Sequence, residues 1–265
     1  MRILATGALA ALASVLAGCA NTTGGDLIDI PFESGGALRD ATQPFTFTNP
    51  LGWQITLDQA LIALGPFYFN VDPPSTDEFR SGVVIIQATE QTIVDALDPT
   101  LNAVTGGANG ETGSAVAVEI GLLAPDVYSK AGDPTASATL GAAFGYVVGT
   151  ATMPGSGSGE PTTIGFQGTV AVDQSLVTPT MPLAALQRIQ GASVDLEFAS
   201  APQTLVLRVD PTHWFDQSDF SQLVASDGTW TIDTTFASQL LEGVDSEENV
   251  YLFSLVDTPS GGSNE

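Results

Sequence analysis

Ser114-Ala115-Val116-Ala117-Val118-Glu119-Ile120-Gly121-Leu122-Leu123 places a large apolar residue at every second position from Val116 to Ile120. Successive side chains of an extended chain point to opposite faces, so this period of two puts Val116, Val118 and Ile120 on one face of a β-strand. The same pattern recurs on either side. Upstream, Phe45-Thr46-Phe47-Thr48 alternates, and so do Trp53, Ile55 and Leu57, before the chain runs on through Leu61, Leu64, Phe67 and Phe69. Gly65-Pro66 reads as a bulge or bend in that run. Val83-Val84-Ile85-Ile86 has the continuous apolar character of a central strand. Gln91 to Leu97 suits a helical turn by spacing, but its shortness and β-branched content favour a strand.

Downstream of the glycine-rich Thr105–Gly113 segment, Ala136 to Thr152 reads as a long strand or hairpin of small residues. Ile164, Phe166, Val170 and Val172 make the next strand. Val194, Leu196 and Phe198 alternate, as do Leu205, Leu207 and Val209, and Thr229–Asp233 and Val250–Val256 complete the set. Two segments carry helical spacing: Pro182–Gln190, and Thr234–Glu242 with Gly243 as its stop. Roughly ten or eleven short strands with regular turn signals and little helix predict an all-β fold. The expected architecture is an antiparallel β-sandwich, Ig-like or jelly-roll in style, with one or two short helices. A closed barrel is the alternative. No fixed-period repeat is present.

The amino terminus carries a different signal. Met1-Arg2 is followed by an apolar run to Val15, too short to cross a bilayer, which takes about 20 residues, and fitting the apolar region of a secretory signal. It ends in Leu16-Ala17-Gly18-Cys19. This ending resembles the lipobox of bacterial lipoproteins. The resemblance implies cleavage before Cys19, lipidation of its sulfur and acylation of the new amine. Ala20, where inner-membrane lipoproteins carry Asp, points by the same resemblance to the outer membrane. Stable anchoring needs more than one acyl chain, and this chemistry supplies several. The expected division is a signal peptide at residues 1–18, a tether at 19–38, a β-sandwich domain at 39–258 and a disordered tail at 259–265. The expected location is a bacterial cell envelope.

Composition narrows the function. Hydrophobic residues make up 43% of the chain and charged residues 14%, a globular balance. Thirty acidic residues face six basic ones, for a net charge of −24. Nucleic acid binding needs a cationic surface to neutralise phosphates, so that class is excluded. Attraction to anionic headgroups is excluded too, leaving membrane attachment to the lipid alone. The acids serve solubility, with calcium binding as the sharper reading. Cys19 is the only cysteine, so no disulfide closes within the chain.

Catalytic motifs are missing. There is no Gly-x-Ser-x-Gly elbow, no phosphate loop with lysine and no dinucleotide fingerprint. One histidine and one cysteine cannot build a His/Cys zinc site. The one stretch of concentrated character is Asp210-Pro211-Thr212-His213-Trp214-Phe215-Asp216-Gln217-Ser218-Asp219-Phe220. It reads in two ways. As a small binding site, His213 with Trp214 offers a ring nitrogen to a metal, or Asp210, Asp216 and Asp219 offer oxygens to calcium. As a structural corner, Trp214 and Phe215 plug the end of the sandwich while Asp216 or Asp219 caps a helical turn at Ser218–Leu223. The corner is the favoured reading. Asp245-Ser246-Glu247-Glu248-Asn249 and Asp72, Asp77 and Glu78 read as solvated loops.

The expectation is therefore an outer-membrane lipoprotein with a non-catalytic binding domain for a protein, glycan or ion, without a resident cofactor. The alternatives are a carboxylate-dependent hydrolase and a metal-handling periplasmic protein centred on His213. A hydrolase predicts two or more carboxyl groups converging in one cleft with a raised pKa.

Overall fold

The computed structural model describes residues 25–257 apart from 73–81, 126–133, 156–158, 173–174, 176, 179–182, 224, 227–228 and 245–249. The lipobox with Cys19, the tail 259–265, most of the expected loop around Asp77 and Glu78, and the acidic run 245–249 lie outside the described residues.

In chain order the strands are β1 (Leu27–Ile30), β2 (Phe32–Gly36), β3 (Phe45–Thr48), β4 (Gln54–Leu64), β5 (Phe67–Asn70), β6 (Val84–Ala88), β7 (Thr92–Asp95), β8 (Asn102–Ala103) and β9 (Ala108–Glu111). They continue as β10 (Gly113–Gly121), β11 (Gly145–Met153), β12 (Thr162–Val170), β13 (Arg188–Phe198), β14 (Gln203–Val209), β15 (Ala225–Ser226), β16 (Thr229–Thr231) and β17 (Tyr251–Asp257). Three helices join them: α1 (Pro134–Leu140), the single turn α2 (Leu183–Leu186) and α3 (Thr234–Val244). The fold is an all-β sandwich. One sheet runs β1-β9-β6-β5-β10-β13, a second β15-β16-β12-β11-β4-β3 with β7 also on β4, and a third β17-β14-β2-β8. Pairing is antiparallel except for β2 with β14 and β12 with β16, which are parallel. A parallel pair needs a long connection, and β2 and β14 stand at opposite ends of the chain.

The strand that opens the reading is β10. Val118 and Ile120 are fully buried, as the alternation requires, while Val116 is 41% exposed. Val116 lies beyond the Ala117–Ile120 stretch that β5 pairs. The core is continuous across the sheets and holds Phe32, Phe67, Phe69, Ile86, Phe198 and Leu207. Phe32 belongs to the segment expected as tether. It is 1% exposed, and β2 is paired to both β14 and β8. The folded body therefore begins by β1 at Leu27, because Ile30 and Phe32 bury apolar surface that a free tether leaves in water.

Two further departures shape the surface. Residues 136–140, expected in a strand, form part of α1. Ala136 and Leu140 stand one helical turn apart and pack on Leu61 and Ala63 as a small satellite core. A run of small residues carries no period that separates the two forms, so packing decides. Within β4, Trp53, Ile55 and Leu57 precede or enter the strand facing inward as expected, but Ala60, Ile62 and Leu64 are the inward residues beyond them. Leu57 pairs with Gly149 and Gln59 with Val148, so Asp58 is one extra residue on β4. This bulge reverses the faces of the strand. It turns Gln59, Leu61 and Ala63 to the outside, beneath α1. A Cβ at Gly149 lies 2.4 Å from Thr56 O, so the opposing strand has no room for a side chain there.

Candidate functional site

The Asp210–Phe220 stretch forms two 3-10 turns, Pro211–Phe215 and Phe220–Gln222. Asp210 caps the first, accepting from Thr212 N at 2.9 Å and Thr212 Oγ1 at 2.6 Å. Asp219 caps the second, accepting from Ser221 N at 3.0 Å and Ser221 Oγ at 2.7 Å. Burial pushes the Asp219 carboxyl up, but bonds from Ser221, Gln222 and Trp53 outweigh it and hold its pKa below the ordinary value. Trp214, Phe215 and Phe220 are buried. Phe220 sits among Trp53, Phe166, Phe215 and Phe236 with ring centroids 4.8 to 6.0 Å away. Asn49, 4% exposed, donates through Nδ2 to Phe215 O at 3.0 Å and Ser218 O at 2.9 Å, and accepts from Trp53 N at 3.0 Å. Helix α3 rests on the same turn: a Cβ at Gly243 lies 2.3 Å from Trp214 O.

The stretch thus has the geometry of a corner plug. Trp214 turns into the core instead of offering an open platform, and its Nε1 lacks a partner. Asp210 and Asp219 each spend Oδ1 on a backbone and a hydroxyl donor, and Asp219 Oδ2 accepts from Gln222 Nε2. His213 and Asp216, both half-buried, pair with each other with Nδ1 and Oδ2 2.9 Å apart, and Gln217 beside them is exposed. Among the described residues, no group of three or more His, Cys, Asp or Glu side chains converges to hold a metal ion.

A second place has the shape of a ligand site. A cleft of about 590 Å³ lies where β7, of the second sheet, meets β8, of the third, beneath α1. Its apolar lining includes Leu61 and Ile93, with Ala136 from α1. Gln59, Gln91 and Thr92 supply polar groups from the β4–β7 side, Asn102 from β8, and Thr135 and Thr139 from α1. Asp95 and Asp98 stand at one side, between this cleft and a more open groove that Arg39, Thr42 and Phe45 line. The reversal of β4 at Asp58 is what brings Gln59 and Leu61 into this lining.

The loop that carries the two aspartates is held from several directions. Leu97 N donates to Asp95 Oδ1 at 2.9 Å, and Thr100 N to Asp98 Oδ1 at 2.9 Å. Gly36 N donates to Asp98 O at 2.7 Å. A Cβ at Gly36 meets Ala96 O at 2.4 Å, so glycine lets β2 approach this close. Arg39 Nε donates to Leu97 O at 2.9 Å, and Arg208 Nη1 donates to Gly36 O at 3.0 Å and to Pro99 O. Two of the six basic residues are therefore committed to carbonyls around this one loop. Gln91 is 2% exposed; its Nε2 donates to Leu123 O at 2.5 Å, and its Oε1 has no partner.

The two carboxyls differ. Although part of Asp95 reaches solvent, partial burial raises its pKa above the ordinary carboxylate value; the Leu97 N–H opposes this, and the Asp98 charge adds to it. Bonds from Thr100 hold Asp98 below its ordinary value. A carboxyl with a raised folded-state pKa binds protons more tightly folded than unfolded, so its penalty is absent below the unfolded value and grows as pH rises through the folded value. Asp95→Asn removes that penalty and keeps an oxygen for Leu97 N. The expected result is a higher thermal midpoint than the parent chain at pH 7, with the difference closing near pH 3.5. An equal or lower midpoint at pH 7 contradicts the assignment.

No catalytic fingerprint marked this cleft in the sequence. Its residues come from four elements, and only the Asp95-x-x-Asp98 pair is local enough to have drawn notice. Comparison with protein-family models and with curated proteins finds no match. Among solved structures, MbnP from Methylosinus trichosporium is similar over 87% of this chain and 99% of its own, at 10% identity and a TM-score of 0.35, a likeness too loose to bear on fold or function.

Proposed function

We propose that this chain is a lipoprotein of a bacterial cell envelope, anchored through Cys19, whose β-sandwich is a non-catalytic binding domain with the Asp95/Asp98 cleft as its ligand site. The observation that carries the binding reading is the cleft itself. It has the volume of small-molecule sites, which span about 300–1,000 Å³, and its polar wall stands on a loop anchored by two arginines. Pre-organised polar groups over an apolar floor hold a ligand without the cost of ordering a loop. The anchor reading rests on Leu16-Ala17-Gly18-Cys19 and its resemblance to the lipobox. Outer-membrane placement follows from Ala20 by the same resemblance.

A second reading has one observation in its favour. Asp95 and Asp98 share a cleft edge, and their surroundings push their pKa values apart, the pattern of an acid and a base in carboxylate-dependent hydrolysis. Binding is preferred because both acids sit on one side of the cleft in one short loop. Glycoside hydrolysis needs its carboxyls to flank the scissile bond.

Growth of cells expressing the full chain with labelled palmitate tests the anchor. Label on the parent chain and none on Cys19→Ser is the expected result; label on both, or on neither, rejects lipidation at Cys19. Assay of the mature chain on chromogenic glycosides tests the alternative. Turnover that disappears in Asp95→Asn replaces the binding reading with the hydrolase.

A further inference from the structure

The chemistry of the cleft wall says what kind of ligand it takes. Its charged lining is negative: Asp95 and Asp98 border it, and no lysine or arginine is among the described residues that line it. Among the described residues, the cation beside the two aspartates is Arg39, which belongs to the groove on their other side and spends Nε on Leu97 O and Nη1 on Gln43 O. Gln91 Oε1 is buried without a partner, and a buried acceptor left unpaired is costly. Asn102 turns its Nδ2 to Thr100 O at 3.3 Å, which leaves its carbonyl as the remaining amide group. The apolar part of the lining is small: Leu61 and Ala136 pack together and are 5% and 8% exposed, which leaves Ile93 as the apolar side chain that reaches the cleft.

We propose that the cleft binds an organic ammonium ion, an aliphatic amine whose charged head lies at Asp95 and Asp98 and whose methylene chain passes over Ile93. This rests on the binding reading above. An ammonium brings three N–H donors and no acceptor to a wall whose two charged groups, Asp95 and Asp98, are acceptors alone. It adds positive charge beside two carboxylates that share only Arg39 among the described cations, and a charge-assisted bond is stronger than a neutral one. The alkyl stem covers apolar surface while its head stays with charge. The space is too large for a bare ion, since even a water molecule occupies only about 30 Å³. Anionic ligands, phosphorylated or carboxylated, meet repulsion at the mouth and from the net charge of −24. The raised pKa of Asp95 is consistent with this, because a cation at that place lowers it again.

Calorimetric titration of the mature chain, kept soluble by Cys19→Ser, tests the proposal at physiological ionic strength. The probes are putrescine and spermidine, Nα-acetyl-lysine methylamide, maltotriose and calcium chloride. The expected result is saturable binding of the amines that weakens at least about tenfold in Asp95→Asn/Asp98→Asn. Asn retains an oxygen for the Leu97 and Thr100 N–H groups, so the loop is kept. In Asp29→Asn/Asp195→Asn, which removes the same charge from exposed positions of the first sheet, amine binding is expected to be unchanged. Binding of the acetyl-lysine amide but not of the free diamines keeps the ammonium chemistry and assigns it to a lysine side chain of a partner. Equal weakening in both double variants means diffuse attraction to an acidic surface and overturns the proposal. Cleft-dependent binding of maltotriose or calcium without binding of amines also overturns it, while leaving a binding domain in place. No binding by any probe rejects the ammonium site and removes the support for the binding reading.

Discussion

Phe220→Ala is expected to destabilise the mature chain by about 4 kcal/mol, within the range for emptying a fully buried aromatic site. Phe220 is 0% exposed and touches four rings from four places in the chain: Trp53 before β4, Phe166 on β12, Phe215 in the first 3-10 turn and Phe236 on α3. The neighbours are anchored to different elements and cannot collapse together into the space. For a chain of this size, each kcal/mol moves the midpoint about 2–4 °C, so the drop is about 8–16 °C. Thermal melts of parent and variant read it directly. Phe220→Leu, which refills most of the volume, should recover more than half of the loss. A drop of less than about 3 °C in Phe220→Ala would show that the corner does not hold the sandwich end together.

Asn49→Ala is expected to cost about 3–5 kcal/mol, although it removes only a small side chain. Asn49 is 4% exposed and makes three bonds. Its loss leaves the Ser218 carbonyl and the Trp53 N–H without their partner, while the Phe215 carbonyl keeps the Ser218 N–H, and each buried orphan costs about 1–3 kcal/mol. The side chain joins the turn before β4 to a loop more than 160 residues further on. Denaturant titration measures the loss. Because Asn49 and Phe220 support the same corner, the double variant should lose less than the sum of the two single losses. Strict additivity would mean that they act on separate structures.

The two readings of Asp210–Phe220 differ in what they ask of Trp214. A ligand platform keeps its ring face open, and a plug buries it; the ring is 3% exposed. His213 and Asp216, both half-buried, pair with each other beside the exposed Gln217. The cleft at Asp95 and Asp98 was the harder place to see. Gln59, Gln91, Asn102 and Thr135 are unremarkable in the chain, and they meet only through β4, β7, β8 and α1.

Strand periodicity alone determined that this is an all-β protein with its core on the alternating faces, because the side-chain period of an extended chain is a local property. The closing strand, the helix at α3 and the capping by Asp219 were legible for the same reason. Charge was likewise legible by itself, since a count of acids and bases needs no coordinates, and the expectation that nucleic acid is not a partner rests on that count alone. The tertiary structure decided what depends on distant partners. It drew residues 27–36 out of the expected tether by burying Ile30 and Phe32. It chose helix over strand for the small residues of α1, where Leu140 found the outward face of β4. It also placed one extra residue, Asp58, opposite Gly149 and so reversed β4. A bulge is set by the strand across from it and leaves no period of its own, and the floor of the cleft exists because of that reversal.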